Sequence, residues 1–270
     1  MSLEDFSICV GHTNLEEHLS LHPGTEPAPR PNDGGEPYTD DAYVPVVKRR
    51  LLSASELDAI SSDWHWPSSQ CISSFKIHDA ALSHIKDVSA KRQDKVTKEY
   101  LAVGDRLWTS VCEASPISSI GPMQWLGISR RPSGLRTSTL DAHIGRRIGL
   151  HLDSWDRAAI SHRHASRIRL CINLGTHMRS LLFIPYDIKT IDDAISGTIK
   201  SESDHYGNIG HRFCREFRDA PVFELTIPPG FAYLAPTENI IHDGCSEPAD
   251  GPDMTIAWLG FIVYSASFSV

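Results

Sequence analysis

The sequence lacks closely spaced cysteines. Its six cysteines are spread over 270 residues and none forms a CxxC pair, so a zinc ribbon and a dense disulfide framework are excluded. It also lacks an apolar run long enough to span a membrane, and its first residues lack the basic flank and apolar stretch of a secretory signal. We therefore expect reduced thiols and a cytoplasmic protein that does not enter a membrane.

Basic residues are scarce relative to acidic ones. Lys and Arg number 26 against 34 Asp and Glu, which gives a formal net charge of −8. A general nucleic-acid binder needs a basic surface, so the composition argues against that class of protein. The partner that we expect is a small molecule, and the sequence does not predict an oligomeric state.

Composition and turn-forming residues suggest how the chain is divided. Apolar residues make up 40% of it, which is enough for the packed core of one large β-rich domain or two small ones. Pro and Gly predict an irregular arm over residues 1–45, and we assign 46–270 to a single domain. Ser53 and Glu56 fit a capping box that begins a helical support over 53–115.

Short strands dominate the second half of the chain. Apolar runs bounded by turn residues, together with the alternation in 167–174, predict strands over 120–264, interrupted by a helical insertion over 187–218. We predict that strands 167–174 and 178–184 pair as a hairpin across a turn at 175–177. The predicted fold class is α+β, an antiparallel sandwich or barrel preceded by helices.

Three residues form a candidate metal site. His151 and Asp153 lie two residues apart on a predicted strand, so their side chains project from the same face. With His242 they supply two imidazoles and one carboxylate, a set that leaves coordination positions open and is typical of non-haem Fe(II) oxygenases. The alternative is that both histidines are core residues with satisfied hydrogen bonds. His162 and His164 are competing loop histidines.

The order of these residues resembles that of a known family. His151-Leu152-Asp153 followed by a distant His242 is similar to the HxD…H signature of iron(II)/2-oxoglutarate-dependent oxygenases. The resemblance covers 120–264 and includes a turn at Pro229-Gly230, about a dozen residues before the distal histidine, as in JmjC-type and other cupin-like members. It implies a double-stranded β-helix, or jelly roll, over 120–264 with flanking N-terminal helices.

The resemblance also implies residues that bind the cosubstrate. The segment 175–185 resembles the JmjC-type strand whose Lys holds the distal carboxylate of 2-oxoglutarate, and Arg179 stands at that position. Arg169 and Asn173 are similar to the Arg–His strand of aspartyl/asparaginyl hydroxylase-like members. Many family members carry an Arg about ten residues after the distal histidine, but 252–254 contains no basic residue. Arg169 and Arg179 therefore remain alternatives for the anchor.

The chemistry of the family sets the expected function. It implies Fe(II), 2-oxoglutarate and O2, with decarboxylation to succinate and hydroxylation of a polar small molecule such as an amino acid, peptide or natural-product intermediate. His151, Asp153 and His242 would be the metal ligands and the catalytic residues, and an acid at position 153 favours hydroxylation, or a related desaturation or cyclisation, over halogenation. The rivals are a metal-dependent cupin dioxygenase or isomerase that does not use 2-oxoglutarate, and a non-catalytic cupin-like binding protein.

Candidate substrate contacts lie near the expected metal ligands or on a basic turn. They are Arg131, Trp155, Thr237, Glu238 and Asn239. Thr237, Glu238 and Asn239 can instead support the expected metal ligands from outside, and the other two have a structural alternative. Arg131 can belong to a solvated basic turn, and Trp155 can pack in the core, as aromatic strand residues often do.

Overall fold

The computed structural model describes residues 6–11, 15–29, 36–61, 69–90, 98–113, 115, 117–196, 209–247 and 251–264, which form an α+β fold. The strands are β1 (Cys9–Gly11), β2 (Leu19–His22), β3 (Thr25–Pro27), β4 (Tyr43–Pro45), β5 (Arg50–Leu51), β6 (Cys71–Lys76), β7 (Ile117–Ser119), β8 (Gln124–Arg131), β9 (Leu140–Asp141), β10 (Arg146–Arg147), β11 (Ile168–Asn173), β12 (Arg179–Asp187), β13 (Val222–Ile227), β14 (Phe231–Ala235), β15 (Ile240–Cys245), β16 (Asp253–Gly260) and β17 (Ile262–Tyr264). The helices are α1 (Leu15–His18), α2 (Ala54–Ile60), α3 (Asp79–Ala90), α4 (Lys98–Glu113), α5 (Ile188–Ser196), α6 (Ile209–Glu216) and a 3₁₀ helix over Ile160–Ala165.

Two sheets contain most of the strands. Sheet A has the order β1-β6-β14-β11-β16-β8, and sheet B has the order β15-β12-β13-β2-β5. Neighbouring strands are antiparallel in both sheets, apart from the parallel pair β1–β6. The apolar core between the sheets includes Leu181, Phe183 and Phe223 from sheet B with Tyr233 and Ala235 from sheet A. The cavity that carries the candidate site opens between these two sheets.

The chain crosses from sheet A to sheet B between β11 and β12. β11 pairs with β14 and β16, whereas β12 pairs with β13 and β15. The hairpin predicted for 167–174 and 178–184 is therefore wrong. An alternating pattern specifies which face of a strand is buried but not which strand lies beside it. The turn between them is a corner, closed by the amide of Asn173, which donates to His177 O and Ile227 O at 2.9 Å.

Helices cover the outer face of sheet A. Ile85 of α3 and Leu107 of α4 pack in one buried cluster with Leu170 and Trp258 of the sheet. The segment predicted as helical support, 53–115, contains α2, α3 and α4, while its residues 62–68, 91–97 and 114 lie outside the described residues. The prediction missed β6 within this range, because its two central serines break the apolar pattern although they are buried in the sheet.

The helical insertion covers the outer face of sheet B. Ile191 of α5 and Phe213 of α6 pack with Leu182 and Ile184 of β12. The insertion predicted over 187–218 is confirmed in these two helices, and its middle part, 197–208, lies outside the described residues. Among the described helices, none is both long and apolar enough to cross a membrane.

Strands from the N-terminal part of the chain extend both sheets. β1 pairs with β6 of sheet A and β2 with β13 of sheet B, while β3 and β4 form a separate two-stranded sheet. The irregular arm predicted over 1–45 is therefore wrong for these strands, because their three or four residues are too few to show a period against the surrounding Pro and Gly. The capping box at α2 is present: the Ser53 N–H donates to Glu56 Oε2 at 2.8 Å, and the Glu56 N–H donates to Ser53 Oγ at 3.4 Å.

Candidate metal centre

An extended segment carries two of the expected ligands. The region around His151 was predicted as a strand, but within residues 148–153 its described pairing is one bridge to His242. The two residues exchange N–H···O=C bonds of 3.0 and 2.8 Å. Gly149 just before the bridge has φ +70°, and a Cβ there would lie 2.4 Å from the Tyr43 carbonyl oxygen. Only glycine fits this close approach without strain.

The three expected ligands converge. His151 Nε2 lies 3.7 Å from Asp153 Oδ1, and His242 Nε2 lies 3.7 Å from Asp153 Oδ2. The ligand atoms all lie within 4.8 Å of one another, and the exposed fractions are 8% for His151, 9% for Asp153 and 3% for His242. Among the described residues this is the one group of three potential metal ligands at such separations. Residue 242 thus returns to residues 151 and 153, as the metal-site hypothesis requires.

Backbone carbonyls orient both imidazole rings. His151 Nδ1 lies 2.8 Å from Gly149 O, and His242 Nδ1 lies 3.3 Å from Ile240 O. A neutral ring that donates its Nδ1–H to such a carbonyl presents the lone pair of Nε2 to the cluster. Asp243 supports the first ring, with Oδ2 3.7 Å from His151 Nδ1. Fixing the tautomer through the second nitrogen is the usual arrangement of metal-bound histidine.

The pKa values of the three side chains in this cluster are strongly shifted, and in different directions. Burial opposes protonation of His151, but Asp153 and Asp243 outweigh it and raise its pKa to about 10. Burial lowers the pKa of His242 to about 4. Burial raises the pKa of the Asp153 carboxyl, but Arg169 and the two histidines outweigh that effect, and its pKa lies well below the usual value. A cation bound at both Nε2 atoms therefore replaces a proton at His151.

Both predicted anchor arginines point into one cavity. This cavity, of about 500 Å³, is lined by Asp153 and His242 together with Arg169 and Arg179. Arg169 Nη2 donates to Asp153 Oδ2 at 2.7 Å. Arg179 Nε donates to Asp253 Oδ1 at 3.0 Å, and its Nη2 lies 3.5 Å from Oδ2. The segment that lacks the family's usual Arg thus supplies the carboxylate partner of Arg179.

Asn173 has a different role from the one predicted. It is absent from the described cavity lining. Its Nδ2 holds two backbone carbonyls of the corner, and its Oδ1 accepts from the Gly175 N–H at 2.9 Å. Because these backbone groups saturate the amide, the structure does not support Asn173 as a cosubstrate ligand.

Two of the five candidate substrate residues line the cavity. Arg131 is at the end of β8 and binds Glu36 through two hydrogen bonds of 3.1 and 2.7 Å. Trp155 is 49% exposed, so it is not a core residue.

The other three candidates support the site from outside. Thr237, Glu238 and Asn239 are buried in the β14–β15 turn and are not among the described cavity-lining residues. The Thr237 carbonyl accepts from the Asp153 N–H at 3.1 Å, and Glu238 Oε1 accepts from the Asp156 N–H at 2.8 Å. Burial raises the pKa of Glu238. The prediction that these residues meet a substrate is therefore not supported. The bonds of Thr237 and Glu238 go instead to the segment that carries Asp153, and Asn239 Nδ2 donates to the Ser69 carbonyl at 2.8 Å.

Several lining residues escaped the sequence analysis. Cys171 and Tyr233, a cross-strand pair on the inner face of sheet A, line the cavity with Asp253. Alternation from Arg169 places Cys171 on the same face, so the pattern contained that signal. The competing histidines, His162 and His164, are exposed on the 3₁₀ helix and lie outside the cluster.

Comparison with known proteins gives only distant structural likenesses. No family model and no curated protein matches the sequence. The Kdo hydroxylase KdoO, a non-heme Fe(II) alphaketoglutarate dependent dioxygenase in complex with alphaketoglutarate and Fe(III), has a TM-score of 0.38 and 12% identity, covering 72% of this chain and 79% of that chain. The iron and alpha-ketoglutarate-dependent endoperoxidase NvfI has a TM-score of 0.34 and 13% identity, covering 92% and 97%. Likenesses at this identity and TM-score do not assign a function to this chain.

Proposed function

We propose that this protein is an Fe(II)- and 2-oxoglutarate-dependent oxygenase that hydroxylates a polar small molecule and converts 2-oxoglutarate to succinate. One observation carries the proposal: His151, Asp153 and His242 present two imidazole nitrogens and a carboxylate to one buried point. This donor set leaves coordination positions open and suits Fe(II). When bound, the metal would supply the activation of O2, while the chain supplies binding and orientation.

The strand order supports a double-stranded β-helix. Eight core segments follow one another along the chain: β8, the His151 segment, β11, β12, β13, β14, β15 and β16. Numbered in that order, sheet A contains them as 1-8-3-6, and sheet B with the His151 segment contains them as 2-7-4-5. This alternation between two sheets is that of a jelly roll. It makes segments 2 and 7 neighbours, which is why His151 and His242 meet.

The charges in the cavity favour a dianionic cosubstrate. Among the described residues, Arg130, Arg131, Arg169 and Arg179 line it. Arg169 pairs with Asp153 and Arg179 with Asp253, so each of these inner pairs cancels in charge. With neutral histidines, a divalent cation would therefore add positive charge to a partly buried site. Because buried charge must be paired, a ligand with two negative charges, such as 2-oxoglutarate, fits this site.

The two inner arginines suit the two ends of such a ligand. Arg169 contacts the metal-ligand carboxylate at 2.7 Å, so it would bind a carboxylate group close to the metal. Arg179 would bind the distal carboxylate. Its Nη1 contacts the Cys171 thiol at 3.7 Å, and a thiol is a weak acceptor that a carboxylate replaces readily.

The polar side chains that line the cavity favour a small polar molecule as the substrate. Ser129, Ser138, Thr139 and Thr255 line the cavity, and Trp155 supplies an aromatic face. The volume of about 500 Å³ is within the usual range of small-molecule sites. A metal-dependent cupin dioxygenase that does not use 2-oxoglutarate is the second candidate. It is favoured by the Arg179–Asp253 pair, since Asp253 already occupies two donors of the proposed anchor.

An anaerobic titration separates these functions. Fe(II) is added to the protein, then 2-oxoglutarate, while visible absorption is recorded. We expect the weak charge-transfer band of a bound 2-oxoacid chelate, followed by succinate release when O2 and a suitable substrate are admitted. Metal binding without the band favours the second candidate. Absence of metal binding contradicts both.

A further inference from the structure

The carboxylate of Asp153 stands on a segment without a strand ladder. After the bridge at His151, residues 152–158 pair with no strand among the described elements. A strand ladder fixes the direction of the side chains that it carries, whereas an irregular segment relies on individual contacts. The orientation of Asp153 therefore depends on whatever holds its own peptide groups.

Two contacts hold the backbone of Asp153. Its N–H donates to the Thr237 carbonyl at 3.1 Å. Its carbonyl accepts from Arg163 Nη1 at 2.9 Å. Both backbone polar groups of Asp153 thus have a partner, the N–H in the β14–β15 turn and the carbonyl on the 3₁₀ helix.

The Arg163 guanidinium binds both the segment that carries Asp153 and the β14–β15 turn. Arg163 Nη1 also donates to the Glu238 carbonyl at 3.2 Å. Its Nη2 donates to Ser154 Oγ and its Nε to the Ala158 carbonyl, both at 3.3 Å. The rigid planar fork of Arg can meet several acceptors at fixed angles, which the single ammonium of Lys cannot do.

The buried carboxyl of Glu238 also binds the segment that follows Asp153. Glu238 is fully buried, and its Oε1 accepts from the Asp156 N–H at 2.8 Å. Arg163 and Glu238 thus bind the segment on both sides of Ser154. Neither residue is among the described residues that line the cavity, so neither is placed to touch a substrate.

We infer that Arg163 and Glu238 are positioning residues, a pair that we name the Asp153 clamp, and that they hold the Asp153 carboxylate in the orientation that a bound metal requires. This inference rests on the proposed metal centre. Partners outside the coordination sphere that orient a ligand contribute about 10–100-fold to metal affinity. The clamp predicts such an effect from residues that contribute no ligand atom.

Co(II) binding tests the clamp without turnover. The affinity and the visible spectrum of Co(II) are measured anaerobically for wild type and Arg163→Ala, well below the unfolding temperature, with circular dichroism as the check on folding. We expect about 10–100-fold weaker binding and an altered spectrum. His162→Ala, an exposed neighbour on the same 3₁₀ helix, is the matched control and retains wild-type binding.

Glu238 provides an independent pair of variants. Glu238→Ala removes the acceptor of the Asp156 N–H and weakens Co(II) binding, whereas Glu238→Gln keeps an oxygen there and recovers most of the affinity. If Arg163→Ala does not fold, this pair decides the question. Wild-type affinity and spectrum in folded Arg163→Ala or Glu238→Ala overturn the clamp alone. A wild-type protein that binds neither Co(II) nor Fe(II) overturns the metal centre, and the clamp with it.

Discussion

The two sides of the candidate metal centre are built differently. His242 lies within β15, where Phe183 of β12 is its cross-strand partner, so the sheet fixes its backbone. Asp153 lies beyond the last bridge of its segment, and its backbone depends on one carbonyl and one guanidinium. Ligands on a regular strand are positioned by many cooperative contacts, whereas a ligand on a loop is positioned by few. We therefore expect the Asp153 side to be the more sensitive to distant substitutions.

The same contrast applies to the charges. On the strand side, burial lowers the pKa of His242 to about 4 and so keeps its imidazole neutral. On the loop side, Asp153 carries a charge that Arg169 and His151 compensate. A bound metal would replace part of this compensation, so the metal and Arg169 would compete for the Asp153 carboxylate on the loop side.

Removal of the loop-side ligand should have the largest effect. Asp153→Ala leaves two imidazoles without the carboxylate, so metal affinity should fall by at least about 100-fold, the upper end of what outer partners contribute. Succinate production should be abolished. Fe(II) titration and succinate assays measure both. Asp193→Ala, exposed on α5, is the control. Retained turnover in Asp153→Ala would refute its role as a ligand.

Substitution of the arginines should give the next largest effect. Arg179→Ala removes charge-assisted hydrogen bonds to a carboxylate, worth about 1.5–3 kcal/mol, so the KM for 2-oxoglutarate should rise about 10–100-fold. Arg169→Ala should also raise it. Steady-state succinate assays over a range of 2-oxoglutarate concentrations provide the measurement. If neither variant changes KM, the anchor assignment is wrong even if the metal centre is right.

Asp253 allows a sharper test, because its carboxylate pairs with Arg179, the proposed anchor of 2-oxoglutarate. Asp253→Asn weakens the bond to Arg179 without changing the shape of the side chain, so the cosubstrate meets less competition. The KM for 2-oxoglutarate should then decrease. An increase in KM would mean instead that Asp253 orients Arg179 for the ligand.

The sequence predicted which side chains would meet better than it predicted their surroundings. His151, Asp153 and His242 could be chosen because the residue types and the period of two are local features. Their convergence could not be derived, since it depends on which strands become neighbours across the whole fold. The hairpin error has the same cause: β11 and β12 are both strands, but each pairs within a different sheet.

Side-chain partners were the least predictable feature. Asn173 looked like a cosubstrate ligand, yet it closes a corner with backbone groups from two segments. Glu238 looked like a substrate contact, yet it binds the chain next to Asp153. Short polar motifs beside a site have the same composition whether they face the ligand or support the fold. Only the three-dimensional structure distinguishes the two roles.

Gly149 allows a test of the loop side through the backbone. Gly149 and Gly145 have φ of +70° and +63°, but a Cβ at Gly149 would meet the Tyr43 carbonyl oxygen, whereas Gly145 has open space. Gly145→Ala should destabilise the fold by about 1 kcal/mol, and Gly149→Ala by on the order of 3 kcal/mol because a backbone atom must also move. Urea unfolding measures the difference. Equal losses would show that the close approach relaxes easily.

The smallest effect concerns Glu224, a buried carboxylate on the opposite face of sheet B from the core. Burial raises its pKa, but His22, Ser180 and Arg49 outweigh burial and lower it to about 2, below the 4.5 of the free side chain. A depressed pKa contributes stability that is complete above pH 4.5 and is lost as the pH falls towards 2. Between pH 4.5 and pH 3.5 wild type should therefore lose about 1 kcal/mol more than Glu224→Gln. Urea midpoints of the two proteins at these pH values provide the comparison, and parallel losses would contradict the ionised cluster.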